Sequence, residues 1–325
     1  MTDKSGRESR GADQAPAPPV VALCGLGNMG AAVASQLVEH FTVLGYDTDS
    51  SRAEQTSREL GVVSCESLSD LARATTVILC LPTPDISRDV CEVLVPELAP
   101  GSIVIETSTV NPSDMTALAS VTDEHGVGLI DAAIAAGVGQ MKAGTAALLV
   151  GGAEPEVAQA LPVLHAIGAT VKHLGPLGSG AALKVINNAV AHAVMVVLVE
   201  AAALAEASGV SRKDLTDLMT GSDAGLTRPL EHRLMERIAA GDYAGGMPIQ
   251  AAHKDSTLAL SLAQSTGVPI FAIQASHTVY ELALADGKGR LDYASIAQLW
   301  ESWLDRALTF RPSEAPVDRP TPPTA

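Results

Sequence analysis

A chain of 325 residues is longer than a single hydrophobic core usually grows, so it points to two domains. With 47% hydrophobic and 18% charged residues it reads as globular, and 3% aromatics leave Ala, Val, Leu and Ile to build the core. A formal net charge of −16 excludes nucleic acid as an expected partner, because phosphate contacts need patches of Lys and Arg.

Residues 1–18 are polar and rich in Pro and Gly, lack the apolar core of a secretory signal, and are expected to be disordered. The same holds for residues 311–325. From Val20 onward, short β-rich runs alternate with helical patterns. Strands are expected at Val20–Cys24, Thr42–Tyr46, Val62–Val63, Val77–Leu81, Ile103–Glu106, Gly128–Asp131, Ala146–Val150 and Thr170–His173. Helices are expected between them at Ala31–His40, Ser51–Leu60, Ser67–Ala74, Ile86–Leu98 and Pro112–His125. This alternation predicts βαβ units, an α/β fold with a doubly wound parallel sheet over residues 19–183.

From residue 184 to 310 the pattern predicts an all-helical domain. A long helix, Lys184–Ser208, opens it; the helix is apolar almost all the way round and is expected to be buried on every side. Its longest uncharged apolar stretch, Val185–Val199, is shorter than the ~20 residues a membrane span needs, so no membrane partner is expected. The cysteines (Cys24, Cys65, Cys80, Cys91) show no CxxC pair and no His at ligand spacing. Reduced thiols, no metal and a cytoplasmic location are therefore expected.

The run from Val20 to His40 carries Gly25, Gly27 and Gly30 in GxGxxG spacing, after a strand and at the start of a helix. Asp47 closes the next strand. In that context the motif is a dinucleotide fingerprint, and the domain is Rossmann-type. Gly25 permits the tight turn, Gly27 lets the backbone approach a pyrophosphate, and Gly30 allows close helix–strand packing. Asp47 can accept hydrogen bonds from both ribose hydroxyls and would repel a 2′-phosphate, so NAD is favoured over NADP.

Gly178 and Gly180 precede Lys184, and Asn188 follows four residues later on the same helix face. A cation opening a helix sits at the wrong end of the dipole. Burial, that dipole and a nicotinamide cation would all lower its pKa and suit it to act as a base.

With this segment the chain resembles the β-hydroxyacid dehydrogenase family, which includes 3-hydroxyisobutyrate dehydrogenases and tartronate semialdehyde reductases. The resemblance rests on Gly25-Leu26-Gly27-Asn28-Met29-Gly30, Ile105–Thr109 with Asp131–Gly137, Gly180–Asn188, and His253-Lys254-Asp255. It implies reversible oxidation of a 3-hydroxy acid to its semialdehyde, with Lys184 as general acid and base. It further implies that Ser108 and the Ala136–Gly137 backbone hold the substrate carboxylate and that Asn188 orients the substrate. Leu81, Pro82, Thr109 and Lys254 would join the glycine-motif residues at the cofactor, and the family usually forms homodimers or homotetramers. Where the family usually has Pro-Val-Ser-Gly-Gly, this chain has Ala133-Ile134-Ala135-Ala136-Gly137. The lost serine hydroxyl implies an atypical substrate. Two alternatives remain open: an NADPH-dependent imine reductase on the same fold, which usually lacks the lysine, and a non-catalytic nucleotide-binding protein.

Overall fold

The computed structural model describes residues 18–221 and 225–311. Apart from their boundary residues, the two tails expected to be disordered lie outside the described residues. β-rich runs form β1 (Val20–Cys24), β2 (Thr42–Tyr46), β3 (Val63–Ser64), β4 (Thr76–Leu79), β5 (Ile103–Glu106), β6 (Gly128–Ile134), β7 (Ala147–Gly151) and β8 (Thr170–His173). Between them lie α1 (Asn28–Leu37), α2 (Ser50–Leu60), α3 (Pro84–Leu94), α4 (Pro112–Asp123), α5 (Val138–Lys142) and α6 (Glu154–Ile167). The eight strands join in the order β3-β2-β1-β4-β5-β6-β7-β8, and every pair is parallel except β6–β7.

Strand residues alternate between two cores because successive side chains leave a strand on opposite faces. Val21, Leu23, Ile78, Ile103 and Ile105 pack with α1 and α6 residues such as Val33, Leu37 and Leu164 on one face. Ala22, Cys24, Val77, Leu79 and Val104 pack with α3 and α4 residues such as Leu94, Met115 and Leu118 on the other. Both faces being covered explains why these strands read as near-continuous apolar runs.

Several element bounds differ from expectation, most clearly in the following places. The helix expected over Ser67–Ala74 is a short 3-10 helix, Leu68–Arg73, capped by reciprocal bonds between Ser67 and Asp70. β6 runs on to Ile134 because Asp131–Ile134 finds antiparallel partners in Leu148–Gly151.

A 29-residue helix, α7 (Ser179–Ala207), carries the chain from the first compact unit, which ends at Ala189, into the second, which begins at Val190. The second unit contains α8 (Arg212–Met219), a π-helical segment at Pro229–Ile238, α9 (Ile249–Thr266), α10 (Phe271–Ala285) and α11 (Ala297–Leu304). Among its described residues the extended structure is one isolated bridge, Pro248–Asp292.

The expectation that α7 is buried on every side is not met. By length and composition α7 is apolar enough to cross a membrane, yet only 11% of its most apolar window is buried within the chain. Ile186, Val190, Met195 and Val199 are each more than half exposed. The sequence pattern reports how much of the helix is apolar; it does not report which chain covers it.

One face of α7 does meet protein. Glu200 is 6% exposed and caps α10 from across the unit, accepting from the N–H groups of Phe271 (2.7 Å), Ala272 (2.9 Å) and Ile273 (3.1 Å). Burial works to raise its pKa, but these three bonds outweigh it and hold the carboxyl below its ordinary value. A depressed folded-state pKa means that the stabilisation is fully present above the unfolded value of ~4.3 and is lost as pH falls through the folded value. Glu200→Gln should therefore cost about 3 kcal/mol at neutral pH and flatten the acid limb of the stability curve. Urea titrations at neutral and acidic pH will read both effects; an unchanged acid limb would show that the carboxylate contributes nothing there.

Candidate active site

α1 and α3 leave the C-terminal ends of the adjacent strands β1 and β4 and pack on opposite faces of the sheet. That divergence opens a crevice at the switch point, where doubly wound folds bind nucleotides. The crevice measures about 480 Å³ and is lined by Gly25, Gly27, Asn28, Met29, Gly30, Asp47, Leu81 and Pro82, all expected at the cofactor.

Each glycine meets the steric requirement read from its spacing. Gly25 has φ +95°, and a Cβ there would lie 2.2 Å from the Cys80 carbonyl oxygen. A Cβ on Gly30 would lie 1.9 Å from the Gly25 carbonyl oxygen. A Cβ on Gly27 would meet nothing closer than the Arg52 guanidinium at 4.0 Å, so the backbone there is open to a ligand. Gly27 is also the N-cap of α1 and offers no side-chain cap, leaving the first-turn N–H groups to an anion. A pyrophosphate fits this turn. α1 starts at Asn28, three residues before the expected Ala31, so the motif itself forms the first helical turn.

Asp47 is fixed at the end of β2: its carboxylate accepts from Leu26 N–H (2.8 Å) and Asp49 N–H (2.9 Å). Leu26 thus acts through its backbone, while its side chain is buried in the core. Thr109 is exposed just beyond β5 and does not line the crevice. Lys254 is exposed on α9 in the second unit, paired with Asp255 at 2.9 Å. Tyr46, Thr48, Cys80, Ile86 and Val90 line the crevice without having been anticipated. Ile86 and Val90 are four apart on α3, an apolar pair that reads equally well as core.

Cys24 and Cys80 lie against this crevice as inert thiols. Burial is the main cause that pushes Cys24 up to about 12 and Cys80 up to about 11. All four cysteines are free.

The ends of β5 and β6 support the second part of the site. Ser108 is buried; its N–H donates to Glu106 Oε1 (2.7 Å), and its Oγ accepts from Leu81 N–H (2.8 Å). Its hydroxyl also bonds the Glu106 carboxyl, which works against burial to lower the pKa of that group. Glu106 is 1% exposed and faces Asp131 in the strand register; burial raises its pKa above the ordinary carboxylate value.

Asp131, also 1% exposed, accepts from Gly178 N–H (2.6 Å) and Ala181 N–H (2.7 Å). It ties the first turn of α7 to the sheet. Gly180 lets the turn come this close, since a Cβ there would lie 2.1 Å from the Leu149 carbonyl oxygen and 2.7 Å from Asp131 Oδ2.

Because α7 begins at Ser179, Lys184 lies in its second turn and does not open it, contrary to expectation. Burial is what lowers the Lys184 pKa. The ammonium is half-buried and has no hydrogen-bond or ion-pair partner among the described residues. Asn188, one turn on, is half-buried as well, whereas Leu183, Ile186 and Asn187 are exposed. Gly137 N–H, expected to hold a carboxylate with Ala136, donates instead to Gln140 Oε1 (3.0 Å). A ligand must displace that amide to use it.

Comparison with known proteins accounts for this arrangement. The description "NAD binding domain of 6-phosphogluconate dehydrogenase" matches residues 20–175. "NAD-binding of NADP-dependent 3-hydroxyisobutyrate dehydrogenase" matches residues 178–300. The chain belongs to the β-hydroxyacid dehydrogenase family. It is an NAD(P)-dependent oxidoreductase.

As a β-hydroxyacid dehydrogenase it is 29% identical to 2-(hydroxymethyl)glutarate dehydrogenase of Eubacterium barkeri, over 86% of this chain and 94% of that protein. It is 28% identical to the solved 3-hydroxyisobutyrate dehydrogenase of Mycobacterium tuberculosis with L-serine, with TM-score 0.61, over 87% of this chain and 99% of that one. The imine reductase of Myxococcus stipitatus in complex with NADP+ shares the fold at 18% identity and TM-score 0.80, over 87% of this chain and all of that one.

Proposed function

We propose that the enzyme reversibly oxidises a 3-hydroxy acid to its semialdehyde with NAD, and that Lys184 moves the proton. The observation that carries this is Lys184 itself: half-buried, without a partner among the described residues and lowered in pKa, one turn beyond the turn that Asp131 anchors to the sheet bearing the dinucleotide crevice. The bound nicotinamide supplies or accepts the hydride. In oxidation, neutral Lys184 takes the hydroxyl proton as hydride leaves; in reduction its ammonium form returns a proton to the developing alkoxide. Ser108 turns its hydroxyl from Glu106 to the substrate carboxylate, and Asn188 holds the substrate beside Lys184.

The substrate class is supported by two relatives whose names carry 3-hydroxy acids, 2-(hydroxymethyl)glutarate and L-serine. Ala135, half-buried where the family usually has serine, removes a hydrogen bond and makes the site more apolar. Weak turnover of tartronate semialdehyde is therefore expected. A panel of 3-hydroxy acids with NAD+, run beside cyclic imines with NADPH, tests the reading. Turnover confined to imines would favour the imine-reductase alternative, which rests on fold likeness. No turnover at all would favour a nucleotide-binding protein without catalysis.

NAD preference rests on Asp47, whose fixed carboxylate faces the crevice. Arg52, a cation lining the crevice, is engaged with Asp49 at 3.4 Å. Asp47→Ala should narrow the ratio of kcat/KM for NAD+ over NADP+; a wild-type enzyme strongly selective for NADPH would contradict this.

A homodimer or homotetramer, acting in the cytoplasm, completes the proposal. The exposed apolar residues of α7 are the surface a second copy would cover. A monomer by light scattering would refute the assembly.

A further inference from the structure

α9 and α10 bring three ligand-bearing side chains of the second unit to one place. The donor atoms of His253 on α9 and of His277 and Glu281 on α10 lie within 4.8 Å of one another. His277 is 8% exposed, and its ring stacks on that of His253 at 4.6 Å and 30°. The i,i+4 spacing puts His277 and Glu281 on one helix face.

The hydrogen bonds around His277 assign its tautomer. Ser256 Oγ donates its single proton to the His253 carbonyl oxygen (2.9 Å) and lies 2.8 Å from His277 Nδ1. With that proton committed, Nδ1–H must donate to Ser256 Oγ, which leaves the lone pair of the neutral ring on Nε2. That lone pair faces Glu281 Oε1 at 3.4 Å. In that tautomer two acceptors are turned toward each other, an arrangement that either a metal cation between them or a proton on Nε2 relieves. Two ligands on a tetrahedral ion with bonds of ~2.1 Å stand about 3.4 Å apart. The hydroxyl on the far nitrogen is the outer support that ligating histidines usually have.

We propose that His253, His277 and Glu281 bind a divalent transition cation, Zn²⁺ by their borderline nitrogen and oxygen donors, with Ser256 fixing the buried ligand. His253 and the exposed Glu281 close the remaining distance by side-chain rotation, and a water fills the fourth position. Hydride transfer with Lys184 does not require this ion. The site escapes a search for ligand spacing in sequence because its donors come from two helices.

The test uses tag-free full-length protein, stripped with a chelator and dialysed against Zn²⁺, with metal per chain measured by mass spectrometry. Co²⁺ serves as a second probe through its tetrahedral absorption bands. The expected result is one ion per chain, lost in Glu281→Gln and His253→Gln. Ser256→Ala should bind roughly 10–100-fold more weakly. Glu281 is exposed, so its replacement leaves folding intact, which circular dichroism checks. Failure of the wild type to retain an ion would overturn the proposal, as would equal retention by both ligand variants. A charged His277 imidazolium paired with Glu281, seen by NMR in protein that takes up no Zn²⁺, would identify what holds the pair instead.

Discussion

Lys184→Ala is expected to lower kcat for hydroxy-acid oxidation by about 10²–10⁴-fold, the usual worth of general acid–base assistance. NAD affinity should change little, because the dinucleotide crevice is built from other elements, β1, β2, β4 and their following helices. The loss should fall on the chemical step, since the group acts where charge develops in the transition state. Lys184→Arg should rescue poorly: guanidinium stays charged and cannot act as a base near neutral pH. The half-buried position, with no partner among the described residues, also means that the alanine variant breaks no ion pair there and should fold. Steady-state and single-turnover kinetics on the best substrate of the panel measure the effect. Near wild-type kcat in the alanine variant would remove Lys184 from the mechanism.

Asp131→Ala should be the most destabilising substitution near the site. It strands the N–H groups of Gly178 and Ala181, both bonded to a carboxylate that is 1% exposed. Hydrogen bonds to a buried charge are worth ~1.5–3 kcal/mol each, so the loss should be roughly 3–5 kcal/mol. That is a large share of the ~5–15 kcal/mol a folded protein has. Asp131→Asn is the gentler variant. It retains one good acceptor and turns an NH₂ toward the other N–H, so the first turn of α7 loosens without unfolding. Since Lys184 lies one turn further along the same helix, kcat should fall while KM for NAD+ stays near its wild-type value. Urea denaturation and the kcat–KM split read the two effects separately. Wild-type stability and kcat in Asp131→Asn would show that Asp131 does not position the lysine.

The parts of this molecule legible in its sequence are those decided by local sterics and local periodicity. Gly25 takes φ +95°, which other residues rarely adopt, and a Cβ on Gly30 would strike the Gly25 carbonyl of the same turn, so both requirements appear as spacing. The strands β1, β2, β5 and β8 begin and end as their apolar runs do.

Much of what the sequence hides depends on residues far apart in the chain. Gly178 and Gly180 look like helix breakers, yet α7 starts at Ser179 because a carboxylate 47 to 50 residues upstream caps it. β6 is longer than its apolar run suggests because β7 returns antiparallel beside it. Ile86 and Val90 carry no mark that separates a crevice lining from a core. The resemblance implies that the Ala136–Gly137 backbone holds a carboxylate, but the nearby Gln140 side chain already occupies one of its donors.

Hydride transfer measured in both directions as a function of pH is the most direct test of Lys184 as the proton carrier. With NAD+ and the hydroxy acid, the single-turnover rate should rise with pH through the pKa of Lys184, which burial places below the ordinary 10.5. With NADH and the semialdehyde, the rate should fall through the same pKa, because the ammonium form is then the reactant. Both limbs should vanish in Lys184→Ala. Rates independent of pH, or limbs that persist in the alanine variant, would contradict the assignment of the proton to Lys184.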